Sequence, residues 1–221
     1  MTRRVVAAFF ASLDGIIQGP GGPEEDPTGG FQYGGWTATH WDGVMGEYMG
    51  EGFGKPFDLL LGRRTYEIFA AHWPFTEEEP AALFNNITKY VATSDSAPLA
   101  WQNSEKLEGD AIEAVARLRQ SDGPDLLTQG SSVLVRSLLA AGLVDELSLM
   151  VFPVLLGHGK RWYGEDAKAA DWELLSSRTS TTGVIMSRYR PKGPVSIGSF
   201  AHAVPSAVEQ ARRAKIAVGT W

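Results

Sequence analysis

The chain contains no cysteine. Disulfides, thiolate metal sites and cysteine nucleophiles are thereby excluded. No apolar run is long enough to cross a bilayer. The four histidines, His40, His72, His158 and His202, lack any H-x-x-x-H spacing, which speaks against a dedicated zinc site. Excess positive charge is missing as well. Twenty Lys and Arg stand against 26 Asp and Glu, and the net charge of −6 argues against nucleic acid or an anionic membrane as partner. An anionic ligand must be held locally, by a few arginines and backbone amides. The G-x-G-x-x-G dinucleotide fingerprint is also absent directly after the first strand, where a Rossmann fold needs it.

Several motifs only imitate function. Gly50, Gly52 and Gly54 have glycine-rich spacing but precede Lys55-Pro56 rather than a helix. Gly157-His158-Gly159-Lys160 imitates a P-loop, yet Val154 occupies the first glycine position and Arg161 follows the lysine. Asn86-Ile87-Thr88 matches a glycosylation acceptor, which has no meaning without secretion. Arg3 and Arg4 before the apolar run Val5 to Leu13 resemble a short signal peptide. The β-branched and aromatic residues of that run, with the turn Asp14-Gly15 behind it, read instead as a buried first strand. A cytoplasmic protein is expected.

At 221 residues, 43% of them hydrophobic, the chain suits one domain with an appendage. Strand and helix alternate along it. After the first strand comes a long Gly- and Pro-rich loop, Gln18 to Gly35, of a length usually found in lids or disordered segments. Trp36 to Gly52 then reads as a weak helix, Phe57 to Leu61 as a buried strand, and Arg64 to His72 as a helix stopped by Pro74. Ala81 to Asn86 is a short helix and Lys89 to Thr93 a strand. Asp110 to Gln120 is amphipathic, with Ile112, Val115, Ala116 and Leu118 on one face and Asp110 at its start. Asp125 to Thr128 leads into a helix from Ser132 to Ala141, and Gly142 fits its cap. Glu146 to Pro153 is another strand, and Trp172 to Thr179 pairs antiparallel with Val184 to Tyr189 around Thr182-Gly183. The pattern implies an α/β fold, with a mostly parallel central sheet and helices on both faces. Residues 1–191 form the domain in this reading. Residues 192–221 are a linker and helical extension, with Arg212, Arg213 and Lys215 clustered.

Three strand-to-helix turns carry the chemistry. Gly62-Arg63-Arg64-Thr65 offers close backbone approach, a charged fork and a hydroxyl. Thr93-Ser94 brings hydroxyls to the end of the next strand, and Gln129-Gly130-Ser131-Ser132 combines a glycine with small hydroxyl residues at a helix start. In an open α/β sheet, ligands bind beyond the carboxyl ends of strands, so all three turns should share one edge and suit an extended dinucleotide. Trp36, Trp41 and Trp73 either wall an aromatic pocket or belong to the core.

Ser12-Leu13-Asp14-Gly15-Ile16-Ile17, Leu61 to Glu67, Gly130-Ser131-Ser132, Gly142 to Leu147 and Pro153 to Lys160 together resemble the dihydrofolate reductase-like superfamily. The resembling branch contains the C-terminal reductase domain of bacterial riboflavin biosynthesis enzymes. The resemblance covers roughly residues 3 to 190. It implies a three-layer sandwich, NADPH as cofactor, and hydride transfer to a C=N bond of a pterin-like or ribosylaminopyrimidine substrate by a homodimer. It further implies that Arg63, Arg64 and Thr65 meet cofactor phosphates, and that Thr93 and Ser94 lie by the adenosine ribose and its 2′-phosphate. Gly130, Ser131, Ser132 and Val133 would cradle the pyrophosphate, and Ile17 would border the nicotinamide. For the proton source, the expected carboxylates are Asp14 and Asp42, with Glu47 in the same region. A noncatalytic NADP(H)-binding protein that retains the fold is the alternative.

Overall fold

The computed structural model describes residues 2–164, 167–201 and 203–221; His202, one of the four histidines named above, lies outside them. In chain order the strands are β1 (Val5–Ser12), β2 (Phe57–Gly62), β3 (Lys89–Ala92), β4 (Ser104–Lys106), β5 (Asp125–Thr128), β6 (Glu146–Phe152), β7 (Asp171–Thr179) and β8 (Ile185–Gly193). The helices are α1 (Gly43–Phe53), α2 (Arg63–Ala70), α3 (Ala81–Asn86), α4 (Ala111–Arg119), α5 (Ser132–Ala140) and α6 (Ala207–Ala217). All eight strands join one sheet of order β4-β3-β2-β5-β1-β6-β8-β7. The first six in that order run parallel, while β8 and β7 run antiparallel at one side. This is an α/β architecture with a mostly parallel central sheet and an antiparallel C-terminal strand pair, as the sequence pattern implied.

Local physics explains where the elements differ from expectation. The helix anticipated from Trp36 starts only at Gly43, because the Asp42 side chain accepts from the Met45 amide and fixes the first turn there. The helix anticipated up to His72 ends at Ala70, and Trp73–Phe75 forms a separate 3₁₀ turn around Pro74. Strand β4 has no hydrophobic signal in its sequence Ser-Glu-Lys; it exists by pairing with β3. Strand β8 continues to Gly193, where it pairs with Asp171, so it crosses the expected boundary at residue 191. Beyond it, α6 buries none of its residues.

The core is unequal on the two faces of the sheet. On one face, Val5, Ala7 and Phe9 of β1 join Leu60, Leu126, Leu147 and Leu149 against α4 and α5, which supply Val115, Leu134, Val135 and Leu138. A fully buried leucine there contributes about 2 kcal/mol. The opposite face carries two clusters rather than one. Met45 and Tyr48 of α1 pack with Met150, Phe152 and Met186, whereas Tyr66 and Phe84 pack with Leu59, Leu61 and Leu127. Between these clusters the alternate residues of β1, Val6, Ala8 and Phe10, remain partly exposed although β1 is a central strand. The covering helices part above it and leave a trough.

A buried ion pair closes the opposite end of the sheet. Arg3 is 2% exposed and donates to Asp58 Oδ2, to Pro124 O (2.6 Å) and to the Tyr90 hydroxyl (3.4 Å). The other Asp58 oxygen accepts from the Thr88 amide (3.3 Å). Removing one partner would strand a buried charge.

Candidate active site

Five of the helices are eight residues or longer, and they begin in two different ways. Helices α1, α4 and α6 are capped by the side chains of Asp42, Asp110 and Ser206. Helices α2 and α5 have no side-chain cap. Both uncapped starts follow parallel strands, β2 and β5, that pair directly with each other. Their free N–H groups and the positive ends of both helices therefore meet at one edge of the sheet. The two turns also touch: a Cβ at Gly62 would lie 2.2 Å from Ser131 Oγ, so a larger residue there would push Ser131 aside. Gly130 has φ +119 and joins Ser131 through a cis peptide bond. Thr128, fully buried, donates its hydroxyl to the Gly130 carbonyl at 2.8 Å and sets the direction of that turn.

These turns border a cleft of about 2480 Å³. Ile17, Gly62, Arg63, Arg64, Thr65, Thr93, Ser94, Gln129, Gly130, Ser131, Ser132 and Val133 all line it. The Gly62–Ala92 register pair is what sets Thr93 and Ser94 beside the Gly62 turn. The two arginines differ. Arg63 is engaged by Glu67 (2.7 Å), the Ala97 carbonyl (3.2 Å) and Asp95 (3.8 Å). Arg64 is exposed and has no partner among the described residues.

The trough over β1 is the second half of the cleft. Its floor includes Val6, Ala8, Leu127, Ser148 and Met150, and its walls include Tyr48 and Phe53 from α1, Phe69 from α2 and Trp73 just beyond it. The three tryptophans divide. Trp36 is buried, with its indole N–H on the Gln18 carbonyl (2.8 Å), and is core. Trp41, 47% exposed, lines the cleft edge-on to Phe10, and Trp73 lines it while packing on Phe69 and Phe84.

The anticipated carboxylates are not at the cleft. Asp14 accepts from the Ser12 hydroxyl (2.6 Å), the Gly157 amide (2.8 Å) and the Leu156 amide (3.2 Å), with Arg161 at 3.5 Å. Burial pushes its carboxyl upward, but those hydrogen bonds outweigh burial and hold it below the ordinary value. Asp42 caps α1 and accepts from the Thr181 hydroxyl and amide, both at 2.7 Å, and these bonds hold its pKa down as well. Neither residue lines the cleft, and an ionised carboxylate saturated with donors is a poor proton source. In the structure Asp14 ties the β1 turn to the 156–157 segment, and Asp42 ties α1 to the β7–β8 hairpin. Glu47 is exposed outside the cleft. Among the carboxyl groups that line it, Glu25 has its pKa raised, chiefly by burial, against the hydrogen bonds from the Gly21 and Gly22 amides.

Glu25 belongs to the long loop, which the structure holds in place. Gln18 donates to the carbonyls of Asp26 and Thr28, both at 2.9 Å, and accepts from the Lys160 amide (3.0 Å). The Lys160 ammonium binds Asp26 (2.5 Å) and Thr28 (2.7 Å), and His158 bonds the Gly29 carbonyl (2.8 Å). The Gly157–Lys160 segment thus serves as the fastening of this loop. A Cβ at Gly159 would lie 2.8 Å from Ile16, so the segment needs glycine to pass there. Sequence reasoning did not single out Glu25, Tyr48 and Ser148 as cleft residues, because no loop, helix or strand carries a local marker for which face opens on a cleft.

Comparison with known proteins identifies the same fold. Among solved structures, a putative riboflavin biosynthesis protein from Shewanella sp. PV-4 superposes with a TM-score of 0.58 at 18% identity, covering 87% of this chain and 99% of that one. Dihydrofolate reductase from Enterococcus faecalis, complexed with NADP(H) and RAB-propyl, superposes with a TM-score of 0.55 at 17% identity, covering 86% and 99%. By sequence, the chain is 25% identical over 197 residues to the uncharacterized protein YyaP of Bacillus subtilis (strain 168), across 86% of this chain and 96% of that protein. A family model for the RibD C-terminal domain matches residues 3–186, from the start of β1 into β8, and the chain belongs to that family.

Proposed function

We propose that the protein is an NADPH-dependent reductase that transfers hydride to a C=N bond of a small heterocycle. The observation that carries this is the meeting of the two uncapped helix starts, α2 and α5, beside the open face of β1. One half of the cleft suits a pyrophosphate, which needs backbone donors and a positive helix end rather than bulk charge. The other half is an apolar trough wide enough for a ring. The absence of side chain at Gly62 and Gly130 leaves the backbone approachable, so the residues present fit the dinucleotide. Gly62, Thr65, Gly130, Ser131, Ser132 and Val133 would hold its pyrophosphate and neighbouring phosphate oxygens. Arg64, Thr93 and Ser94 would meet the adenosine ribose and 2′-phosphate, and Ile17 would border the nicotinamide. Bound there, the nicotinamide supplies hydride.

The chain's own contribution is orientation, exclusion of water and a proton. Glu25 is the carboxyl placed to hold that proton, since burial keeps part of it protonated at higher pH than an ordinary glutamate. Turnover therefore falls as pH rises through the raised Glu25 value. Glu25→Gln should lose most turnover while keeping NADPH affinity; full turnover with an unchanged pH profile would remove Glu25 from this role.

The testing experiment is a fluorescence titration with NADPH and NADH. NADPH should bind more tightly, and Arg64→Ala with Ser94→Ala should cost about tenfold or more in NADPH affinity while leaving NADH unaffected. Binding of neither dinucleotide refutes the proposal. A second reading, a noncatalytic NADP(H)-binding protein, is favoured by the structural engagement of Asp14 and Asp42. Tight NADPH binding without turnover on any pterin or pyrimidine would select it.

A further inference from the structure

Beyond β8 the chain continues as an arm with nothing over it. Among its described residues from Pro194 on, all but Pro205 and Glu209 are exposed. They include large apolar side chains: Ile197 is 95% exposed and Trp221 78%, with Phe200, Val204, Val208 and Val218 likewise in the open. Local contacts hold the arm's helix together. Ser206 caps α6 through the Glu209 amide (3.2 Å), Glu209 binds Arg212 (2.6 Å) and Arg213 (2.8 Å), and Arg212 lies over the Trp221 ring at 5.7 Å. A helix of 11 residues is nonetheless marginal in water without an apolar surface to pack on. The family match ends at residue 186, before this arm begins.

The same chain carries an apolar edge that nothing covers. The sheet ends in β4 on one side and β7 on the other, and the two are protected unequally. Strand β4 is three polar residues, Ser104 to Lys106, too short and too charged to recruit a neighbour. Strand β7 has nine residues and exposes Leu174 (53%) and Leu175 (45%), and Ile185 of the neighbouring β8 is exposed as well. Its register breaks between Leu174 and Ser176, and a bulge of that kind resists the addition of another strand. What covers this edge must pack on its side chains, as a helix does. The arm of the same copy does not. It passes the start of β7, where the Ser196 amide donates to Asp171 (3.4 Å), and leaves the leucines bare.

We propose that the arm docks on the β7 edge of a second copy of this chain, so that two copies exchange arms across a two-fold axis. Two observations choose a second copy over another partner. Charge is the first: residues 192–221 hold four basic residues and one acidic, net +3, whereas residues 1–191 hold 16 basic and 25 acidic, net −9. A second copy attracts the arm, while an anionic lipid surface would repel the rest of the molecule. Economy is the second: one exchange covers both unpartnered surfaces in both copies, and it closes, leaving no free arm or edge to propagate. Phe200 and Trp221 of the two arms would bury about 600–1,000 Å², at about 150–250 Å² per aromatic ring, against about 800 Å² per partner in a standard interface.

Sedimentation velocity of the full chain, over nanomolar to high micromolar concentrations, tests this. The parent should form a species of twice the chain mass at micromolar concentration. Two variants of the full chain each remove one half of the contact: Phe200→Ser with Trp221→Ser in the arm, and Leu174→Lys with Leu175→Lys on the edge. All four positions are exposed, so both variants should keep the circular dichroism of the parent. Each should weaken dimerisation about tenfold or more. Mixing the two should restore part of it, because a heterodimer keeps one intact arm facing one intact edge. That recovery is specific to exchange. Three outcomes overturn the inference: a parent that stays monomeric at every concentration, whether or not it then pellets with anionic vesicles; a dimer indifferent to either variant; or a mixture that recovers nothing. None of them bears on the reductase reading, which is tested at the cleft.

Discussion

Strands β1 and β2 lie one strand apart in the middle of the same sheet, yet their burial differs. Every residue of β2 is buried, on both faces, whereas β1 alternates buried and half-exposed from Val5 to Phe10. Both strands are apolar and both pair on two sides. What separates them is the packing above. The clusters under α1 and around Phe84 cover the flanks of one face but do not meet over β1. A central strand with an open face costs hydrophobic burial, and the apolar cleft that results is the usual form of a ligand site. The sealed strand stabilises the fold; the open one receives.

That contrast can be broken by substitution. The largest effects should fall on β2. Asp58→Ala leaves Arg3 buried without its carboxylate and should cost about 3–5 kcal/mol, while Leu60→Ala should cost about 2–5 kcal/mol, both read from urea unfolding. A loss under 1 kcal/mol in both would mean the β2 side is no more rigid than the trough.

On β1 the balance should invert. Ala8→Leu fills the trough floor, so it should cost at most about 1 kcal/mol of stability yet abolish ring-ligand binding, with NADPH affinity retained. Unchanged ring binding would show that the ligand lies elsewhere in the cleft.

A smaller effect sharpens the sealed side through pH. Lys89 begins β3, is fully buried, and donates to the carbonyls of Ile87 (2.8 Å) and Asn85 (3.0 Å) over the Trp101 ring. Burial lowers its pKa from 10.5 to about 8, against the opposing pull of Asp58. Between those values the unfolded chain holds a proton that the native chain has released, so stability rises with pH across that window. As pH falls through 8 that contribution is lost. The rise should be on the order of 1 kcal/mol, because the carbonyls and ring favour the charged form, and it should vanish in Lys89→Met. A flat profile in the parent protein would contradict the burial argument.

The smallest effect is expected at the C-terminus. Since α6 buries no residue, truncation after Gly193 should leave the melting midpoint of the monomer unchanged in calorimetry. A clear drop would place the extension against its own sheet.

Much of the fold was legible because its signals are local. Strands β1, β2, β5 and β6 are short apolar runs ended by turns, and Asp110 announces α4 by capping it. Strand β4 was not legible, since a three-residue polar strand is defined by its neighbour alone. In the candidate site the same division holds. The glycine and hydroxyl turns at Gly62 and Gly130 stand out because a strand followed by a helix leaves backbone amides exposed. Asp14 and Asp42 stood out for their charge, but their donors, Gly157 and Thr181, lie far along the chain.

The sequence by itself determined the alternation of strands and helices, the mostly parallel character of the sheet, and the turns expected at its carboxyl edge. Those follow from periodicity, capping and backbone freedom, which act between near neighbours. Only the tertiary structure decided that β1 opens on one face, that Glu25 rather than Asp14 borders the cleft, and that Tyr48 meets Ser148. Each of these depends on where distant segments stop covering one another, and burial is a property of the assembled packing rather than of any residue type.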